Sequence, residues 1–119
     1  MRRVLPWLMF CIVASISLLH AQERQDRLTV VASFSILGDL VRNVGGDRVN
    51  VTALVGPNAD VHVYTPAPTD AKTIAGARLV IVNGLGLEGW MPRLVQSAGG
   101  KAAIVVASDG IAPRKLGPS

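Results

Sequence analysis

The architecture of this chain is indicated by the four-residue run Leu79-Val80-Ile81-Val82. Every residue in the run is apolar, and there is no alternation between apolar and polar side chains. A continuous run of this kind is typical of a strand that is buried on both faces of a parallel sheet. We therefore expect helices above and below the sheet, connected to it by the segments on either side of the run.

The neighbouring segments fit this expectation, because strand patterns and helix patterns alternate along the chain. Three further strands are predicted from apolar and β-branched residues, at 28–32, 49–55 and 102–106. Three helices are predicted between them. The first covers residues 36–44 and stops at Gly45-Gly46, and the third covers residues 88–97 and stops at Gly99-Gly100. The second is short: Thr69 caps it, Asp70 lies in its first turn, and it ends near Gly76.

The resulting order β-α-β-α-β-α-β predicts an α/β fold with about four βα units. Its sheet is parallel and carries helices on both faces. Residues 111–119 show no periodicity and are expected to form a loop. The fourth strand lacks a following helix and would leave an exposed apolar edge. We therefore expect this chain to be the beginning of a longer protein, an incomplete amino-terminal lobe.

The amino terminus has the features of an export signal. Arg2 and Arg3 precede an apolar run from Val4 to Leu19, and the small-residue site Leu19-His20-Ala21 follows. We interpret residues 1–21 as a cleaved signal peptide, which leaves residues 22–119 as the mature chain. The apolar run is short for a membrane span, although an uncleaved anchor is the alternative.

The single cysteine, Cys11, lies inside this apolar run. The residues before it, Leu8-Met9-Phe10, are not the small residues of a lipoprotein cleavage site, so we expect no lipid anchor. The mature chain would then contain no disulfide, no thiolate metal ligand and no cysteine nucleophile.

The charge of the chain does not indicate a nucleic-acid partner. The formal net charge is +4. Without Arg2 and Arg3 it falls from +4 to +2, and the remaining charges are scattered.

The first candidate functional residue is His62, within the loop Gly56–Ala71. Pro57, Pro66 and Pro68 exclude a central strand or a helix interior there. His62 would be the only histidine of the mature chain, at the carboxyl end of a strand, where open α/β sheets place ligands. Asp60, two residues earlier, could bind a metal, orient the imidazole through a hydrogen bond, or bond its own backbone in a turn.

A second candidate is the sequence Gly84-Leu85-Gly86-Leu87-Glu88-Gly89, which has the spacing of a dinucleotide fingerprint. Asp109 lies about where a ribose-binding acid is expected. Against this interpretation, the turn belongs to the third βα unit, and Trp90 and Pro92 crowd the start of the helix. The alternative is that the glycines only form a tight strand-to-helix turn.

Three motifs in order give a resemblance to a known family. Residues 32–40 (ASFSILGDL), 56–66 (GPNADVHVYTP) and 83–90 (NGLGLEGW) lie within a stretch, residues 28–109, that resembles the amino-terminal lobe of the zinc/manganese-binding solute-binding proteins of ABC transporters. The chain departs from this family at Val61, where the family usually has proline before the histidine.

The resemblance implies a periplasmic protein that captures a divalent metal ion and delivers it to an ABC permease in the inner membrane. It further implies two α/β lobes joined by a long helix, with the metal between them and bound by histidines and carboxylates. Only His62 corresponds to such a ligand here, and the other ligands would lie beyond Ser119. Zinc is expected, with manganese as the alternative, because the 83–90 turn looks more like that of zinc-binding members.

Two other functions stay open on the sequence alone. One is a dinucleotide-dependent oxidoreductase that uses Gly84, Gly86 and Gly89, and the other is an interaction domain without a small-molecule ligand. No nucleophile-base pair is visible, so we do not predict an enzyme. Because zinc takes about four donors, we also expect this chain alone to bind zinc weakly.

Overall fold

The computed structural model describes residues 27–115 and residue 117. The predicted signal peptide, residues 1–21, and Cys11 lie outside the described residues. The described elements are, in chain order, β1 (Leu28–Phe34), α1 (Ser35–Gly45), a 3₁₀ turn (Gly46–Arg48), β2 (Val49–Val55), α2 (Pro68–Ala75), β3 (Leu79–Val82), α3 (Met91–Ser97) and β4 (Ala103–Val106).

The four strands form one parallel sheet in the order β2-β1-β3-β4. β1 is central: Val30 pairs with Val51 of β2 and with Leu79 of β3. The middle of β1 is fully buried, as expected for a strand with covered faces: Val30, Val31, Ala32 and Ser33. The predicted parallel α/β sheet is confirmed.

Helices cover both faces of this sheet. Successive residues of a strand point to opposite faces, and Val30 and Val31 show the two environments. Val30 shares an apolar groove with Leu37 of α1. Val31 belongs to the core on the α2 and α3 side, whose buried members are Val31, Ile74, Ala77, Val80, Val82, Met91, Leu94 and Val95.

The beginning of α2 differs from the prediction. Ala67 is the N-cap and Pro68 the first helical residue, so the predicted cap, Thr69, is wrong. Pro68 fits this position because its φ is already helical and its missing N–H would have no intrahelical partner. The Asp70 carboxylate accepts the backbone N–H of Ala67 at 2.7 Å, so an acid inside the first turn satisfies the helix start.

Two other boundaries differ by two residues or more, while those of α1 and β4 differ by one residue at most. β1 runs on to Phe34, two residues further than predicted. α3 begins at Met91 instead of Glu88, because residues 85–90 form turns. The predicted stop at Gly99 and Gly100 is confirmed, since both have positive φ and the Gly100 N–H returns to the Val95 carbonyl at 2.9 Å.

The outer strand β4 is only partly covered within the described residues. Ile104, Val105 and Val106 are 50%, 45% and 40% exposed. This agrees with the apolar edge expected from the sequence. None of the described helices is long and apolar enough to cross a membrane.

Candidate metal site

His62 lies in the loop between β2 and α2, residues 56–67, which contains neither helix nor strand. The loop leaves the sheet after the fully buried Val55. Asn58 takes a left-handed conformation with φ of 66°, which asparagine tolerates better than most residues. His62 thus lies in the loop that follows the carboxyl end of β2, as the sequence predicted.

Asp60 binds His62 twice through the same carboxylate oxygen. Oδ1 of Asp60 accepts the backbone N–H of His62 at 2.9 Å and lies 3.0 Å from Nδ1 of its ring. A carboxylate has no proton to donate, so Nδ1 carries the hydrogen of this bond. Two of the roles considered for Asp60, the turn and the orientation of the imidazole, are thus present together.

This hydrogen bond leaves Nε2 of His62 as the nitrogen with a free lone pair. The side chains of His62 and Asp60 are 67% and 60% exposed, so a solvated metal ion can reach the ring. A metal-binding histidine is commonly oriented in this way, with its other nitrogen bonded to a carboxylate. The geometry suits His62 as a ligand through Nε2.

The same contacts act on the charge of Asp60. The hydrogen bond from the His62 backbone, followed by that from its ring, lowers the pKa of Asp60 below its usual value of 3.8. The carboxylate is therefore negatively charged at neutral pH. Its negative charge would stabilise a metal cation bound to the ring of His62.

An aromatic pair, Trp90 and Tyr64, holds the loop next to His62. The indole Nε1–H of Trp90 donates to the carbonyl of Val61 at 2.7 Å. The ring of Tyr64 lies against Trp90, with centroids 5.0 Å apart and a tilt of 58°. The Tyr64 hydroxyl donates to Asp70 at 2.9 Å; burial and then this bond raise the pKa of Tyr64, so the hydroxyl keeps its proton.

Glu88 is a functional candidate that sequence reasoning did not single out. It is only 6% exposed. Its carboxylate accepts three hydrogen bonds, from the Ser33 hydroxyl at 2.6 Å, the Asn83 N–H at 2.7 Å and the Gly84 N–H at 3.1 Å. It thus joins the carboxyl ends of β1 and β3. The only signal in the sequence was an acid in a turn otherwise rich in glycine and leucine.

The same contacts bear on the dinucleotide interpretation. The backbone N–H groups of Asn83 and Gly84 are held by Glu88 and do not face a phosphate. Gly84 has a φ of 83°, and an added Cβ would collide with Val106. The structure therefore supports the alternative that these glycines form a tight turn.

A cleft of about 340 Å³ lies beside His62. Its walls are mainly apolar or backbone and include Phe34, Ile36 and Leu87. In the part of the chain that the structure describes, no group of three or more histidine, cysteine, aspartate or glutamate side chains is placed to hold a metal. His62, with Asp60 beside it, is one corner of a site and falls short of the four donors that zinc takes.

Comparison with known proteins gives consistent matches. Residues 30–119 match the family model described as zinc-uptake complex component A, periplasmic. The chain is 36% identical over 98 residues to the manganese-binding lipoprotein MntA of Bacillus subtilis, covering 82% of this chain and 32% of that protein. It is 44% identical over 75 residues to the protein of the same name from Halalkalibacterium halodurans, covering 63% and 25%.

The solved structures agree with these matches. A periplasmic metal binding protein from Candidatus Liberibacter asiaticus superposes with a TM-score of 0.69 at 35% identity, over 76% of this chain and 34% of that one. A manganese-bound structure of it matches equally well. The chain thus spans about a quarter to a third of the length of the proteins compared here.

Proposed function

Because this chain belongs to the family of the periplasmic component A of zinc-uptake complexes, we propose that it captures a divalent transition-metal ion for an ABC transporter. The metal is the cargo, and His62 is the ligand that the described residues contribute. The partner is an ABC permease in the inner membrane.

The observation that carries this proposal is the state of the His62 ring. Its Nδ1 is held by Asp60 at 3.0 Å, while Nε2 is free at the carboxyl end of β2. An exposed histidine with one nitrogen fixed by a carboxylate is prepared for metal binding, since its tautomer and orientation are already set. The remaining donors are proposed to come from outside the described residues.

Export is part of the same proposal. We propose that residues 1–21 are a cleaved signal peptide and that residues 22–119 belong to an amino-terminal metal-binding lobe in the periplasm. The compared relatives are named lipoproteins, whereas the residues before Cys11 argue against a lipid anchor here. Mass spectrometry of the exported chain distinguishes a cleaved chain from a lipidated one.

The identity of the metal is the finer part of the proposal. The matched family is described by zinc uptake, while the relatives compared here are named for manganese. The zinc preference is therefore not confirmed. The expectation of zinc was based on the 83–90 turn. In the structure, Glu88 and Trp90 of this turn form hydrogen bonds with other groups of the protein. Zinc stays the proposed metal, with manganese as the alternative, because an imidazole suits zinc and a carboxylate suits manganese.

The matched family is described as a component of zinc-uptake complexes, which fits a protein that is not an enzyme. The oxidoreductase alternative finds no support, since Glu88 accepts the backbone N–H groups of Asn83 and Gly84 at the start of the glycine turn, so that they are not free to bind a phosphate. No observation on the described residues favours an interaction domain without a ligand.

Calorimetric titration of the whole chain tests the proposal. We expect one zinc or manganese ion to bind, with a dissociation constant weaker than about 1 μM, or about −8 kcal/mol. One imidazole with a neighbouring carboxylate leaves most of the coordination shell to water. Magnesium is the control and should not compete, because it prefers oxygen donors and dehydrates reluctantly.

Two results would contradict this expectation. The absence of any zinc or manganese binding at millimolar concentration would remove His62 as a ligand in this chain. A sub-micromolar affinity would show that a more complete set of donors exists than the one described.

A further inference from the structure

We propose that Trp90 is a positioning residue of the metal site, and that Glu88 anchors the turn from which Trp90 acts. This inference rests on the proposed function, since it takes His62 as the metal ligand. Trp90 does not touch the metal in this proposal. It acts on the main chain next to His62.

The central observation concerns one peptide group, the one between Val61 and His62. Its carbonyl accepts the indole N–H of Trp90 at 2.7 Å. Its N–H donates to Asp60 at 2.9 Å. Because a peptide group is planar, fixing both its oxygen and its hydrogen sets the orientation of the plane. The position of the His62 Cα is then fixed, and only the φ and χ angles of His62 remain to direct its side chain.

The loop contains no regular secondary structure that could fix the orientation of this peptide group. Residues 56–67 contain neither helix nor strand, and the bond between Asp60 and His62 is local to the loop. Trp90 is 29 residues away in sequence and half-buried. It therefore connects the loop to the body of the domain.

The position of Trp90 is in turn supported by the sheet. Its ring packs against the core formed by α2, α3 and β3. The preceding turn is closed by the Leu87 N–H on the Gly84 carbonyl at 3.2 Å and by the Met91 N–H on the Glu88 carbonyl at 3.0 Å. The buried carboxylate of Glu88 ties this turn to Ser33 at the end of β1.

Ser33 is thus connected to Val61 in three steps: Ser33 bonds to Glu88, Glu88 and Trp90 lie in the same turn, and Trp90 bonds to Val61. Its physical effect is preorganisation, because a ligand already held in its binding orientation loses less freedom when the metal arrives. Removing the indole N–H should weaken zinc binding by about threefold to tenfold, the equivalent of one hydrogen bond.

The test is Trp90→Phe in the whole chain, with zinc titrated calorimetrically. Phenylalanine keeps an aromatic ring beside Tyr64 but cannot donate to Val61. Ser97→Ala is the control, because it also loses one side-chain hydrogen bond, but that bond goes to the Leu94 carbonyl within α3. We expect the zinc dissociation constant to rise threefold to tenfold in Trp90→Phe and less than twofold in Ser97→Ala. Hydrogen exchange at the His62 amide should become faster only in Trp90→Phe.

A folded Trp90→Phe protein with unchanged zinc affinity and unchanged exchange at His62 would overturn the inference. If the unsubstituted chain bound no zinc, the proposed function would fail, and exchange at His62 would still decide the positioning role. Should Trp90→Phe not fold, exchange of the Trp90 indole proton in the unsubstituted chain replaces it as the measurement. Saturation with zinc must then slow that exchange by at least threefold, since coupling between two sites is reciprocal; an unchanged rate would overturn the inference.

Discussion

Replacement of Glu88 by alanine is expected to lower the free energy of unfolding by about 2–4 kcal/mol. The substitution leaves the Ser33 hydroxyl, which is 0% exposed, without its acceptor. It also removes the acceptor of the Asn83 and Gly84 N–H groups. An unpaired buried donor costs about 1–3 kcal/mol, and water can reach the half-buried Asn83 and Gly84. A small domain has only about 5–15 kcal/mol in total, so this loss is large.

Urea denaturation followed by circular dichroism measures this effect. Glu88→Gln is the matched control, because its amide oxygen can still accept from Ser33 and Asn83 while the Gly84 N–H loses its acceptor. We expect about 1–2 kcal/mol for glutamine. Ser33→Ala should cost less in the Glu88→Ala background than alone, since the two residues form one contact. An alanine variant as stable as the unsubstituted chain would show that Glu88 does not hold the strand ends together.

Replacement of His62 by alanine is expected to abolish zinc and manganese binding by this chain. Residues 27–115 hold no second histidine and no cysteine, and no group of three or more histidine, cysteine, aspartate or glutamate side chains there is placed to hold a metal. The stability should change by no more than about 0.5 kcal/mol, because the side chain is two-thirds exposed. A change in metal affinity can then be read without a change in folding.

The uncleaved chain offers a matched control for this substitution in its second histidine, His20, which the proposed cleavage after residue 21 would remove. His20→Ala should bind both metals as the unsubstituted chain does, in the same calorimetric titration. Equal binding by the two variants would mean that neither histidine is the specific ligand.

The strands were predictable because their residues carry their own signal. The run Leu79–Val82 is apolar without interruption, and β1 carries the β-branched residues Thr29, Val30 and Val31; short runs of this kind are typical of strands in a parallel sheet. The start of α2 was harder to predict. Pro68 and Thr69 are both acceptable near a helix start, and the choice depends on the Asp70 side chain, which reaches back to Ala67.

The contacts of the candidate site also differ in how far the sequence could predict them. The contact between Asp60 and His62 spans two residues, and a local pattern can indicate it. The contacts of Trp90 with Val61 and of Ser33 with Glu88 span 29 and 55 residues. No local spacing reports such pairs, because the sheet brings them together only after it has formed. The glycine spacing in the 83–90 turn suggested a nucleotide site for a similar reason. The sequence does not show that Glu88 of this turn is buried and bonded to the backbone of the turn.

Nitrogen-resolved NMR of the His62 ring during zinc titration is the most direct test of this metal site. We expect the Nε2 resonance to move as zinc binds, while Nδ1 keeps its proton and its hydrogen bond to Asp60. Displacement of the Nδ1 proton would contradict binding through Nε2, and zinc binding that leaves both ring nitrogens of His62 unchanged would contradict the assignment of this histidine as the ligand.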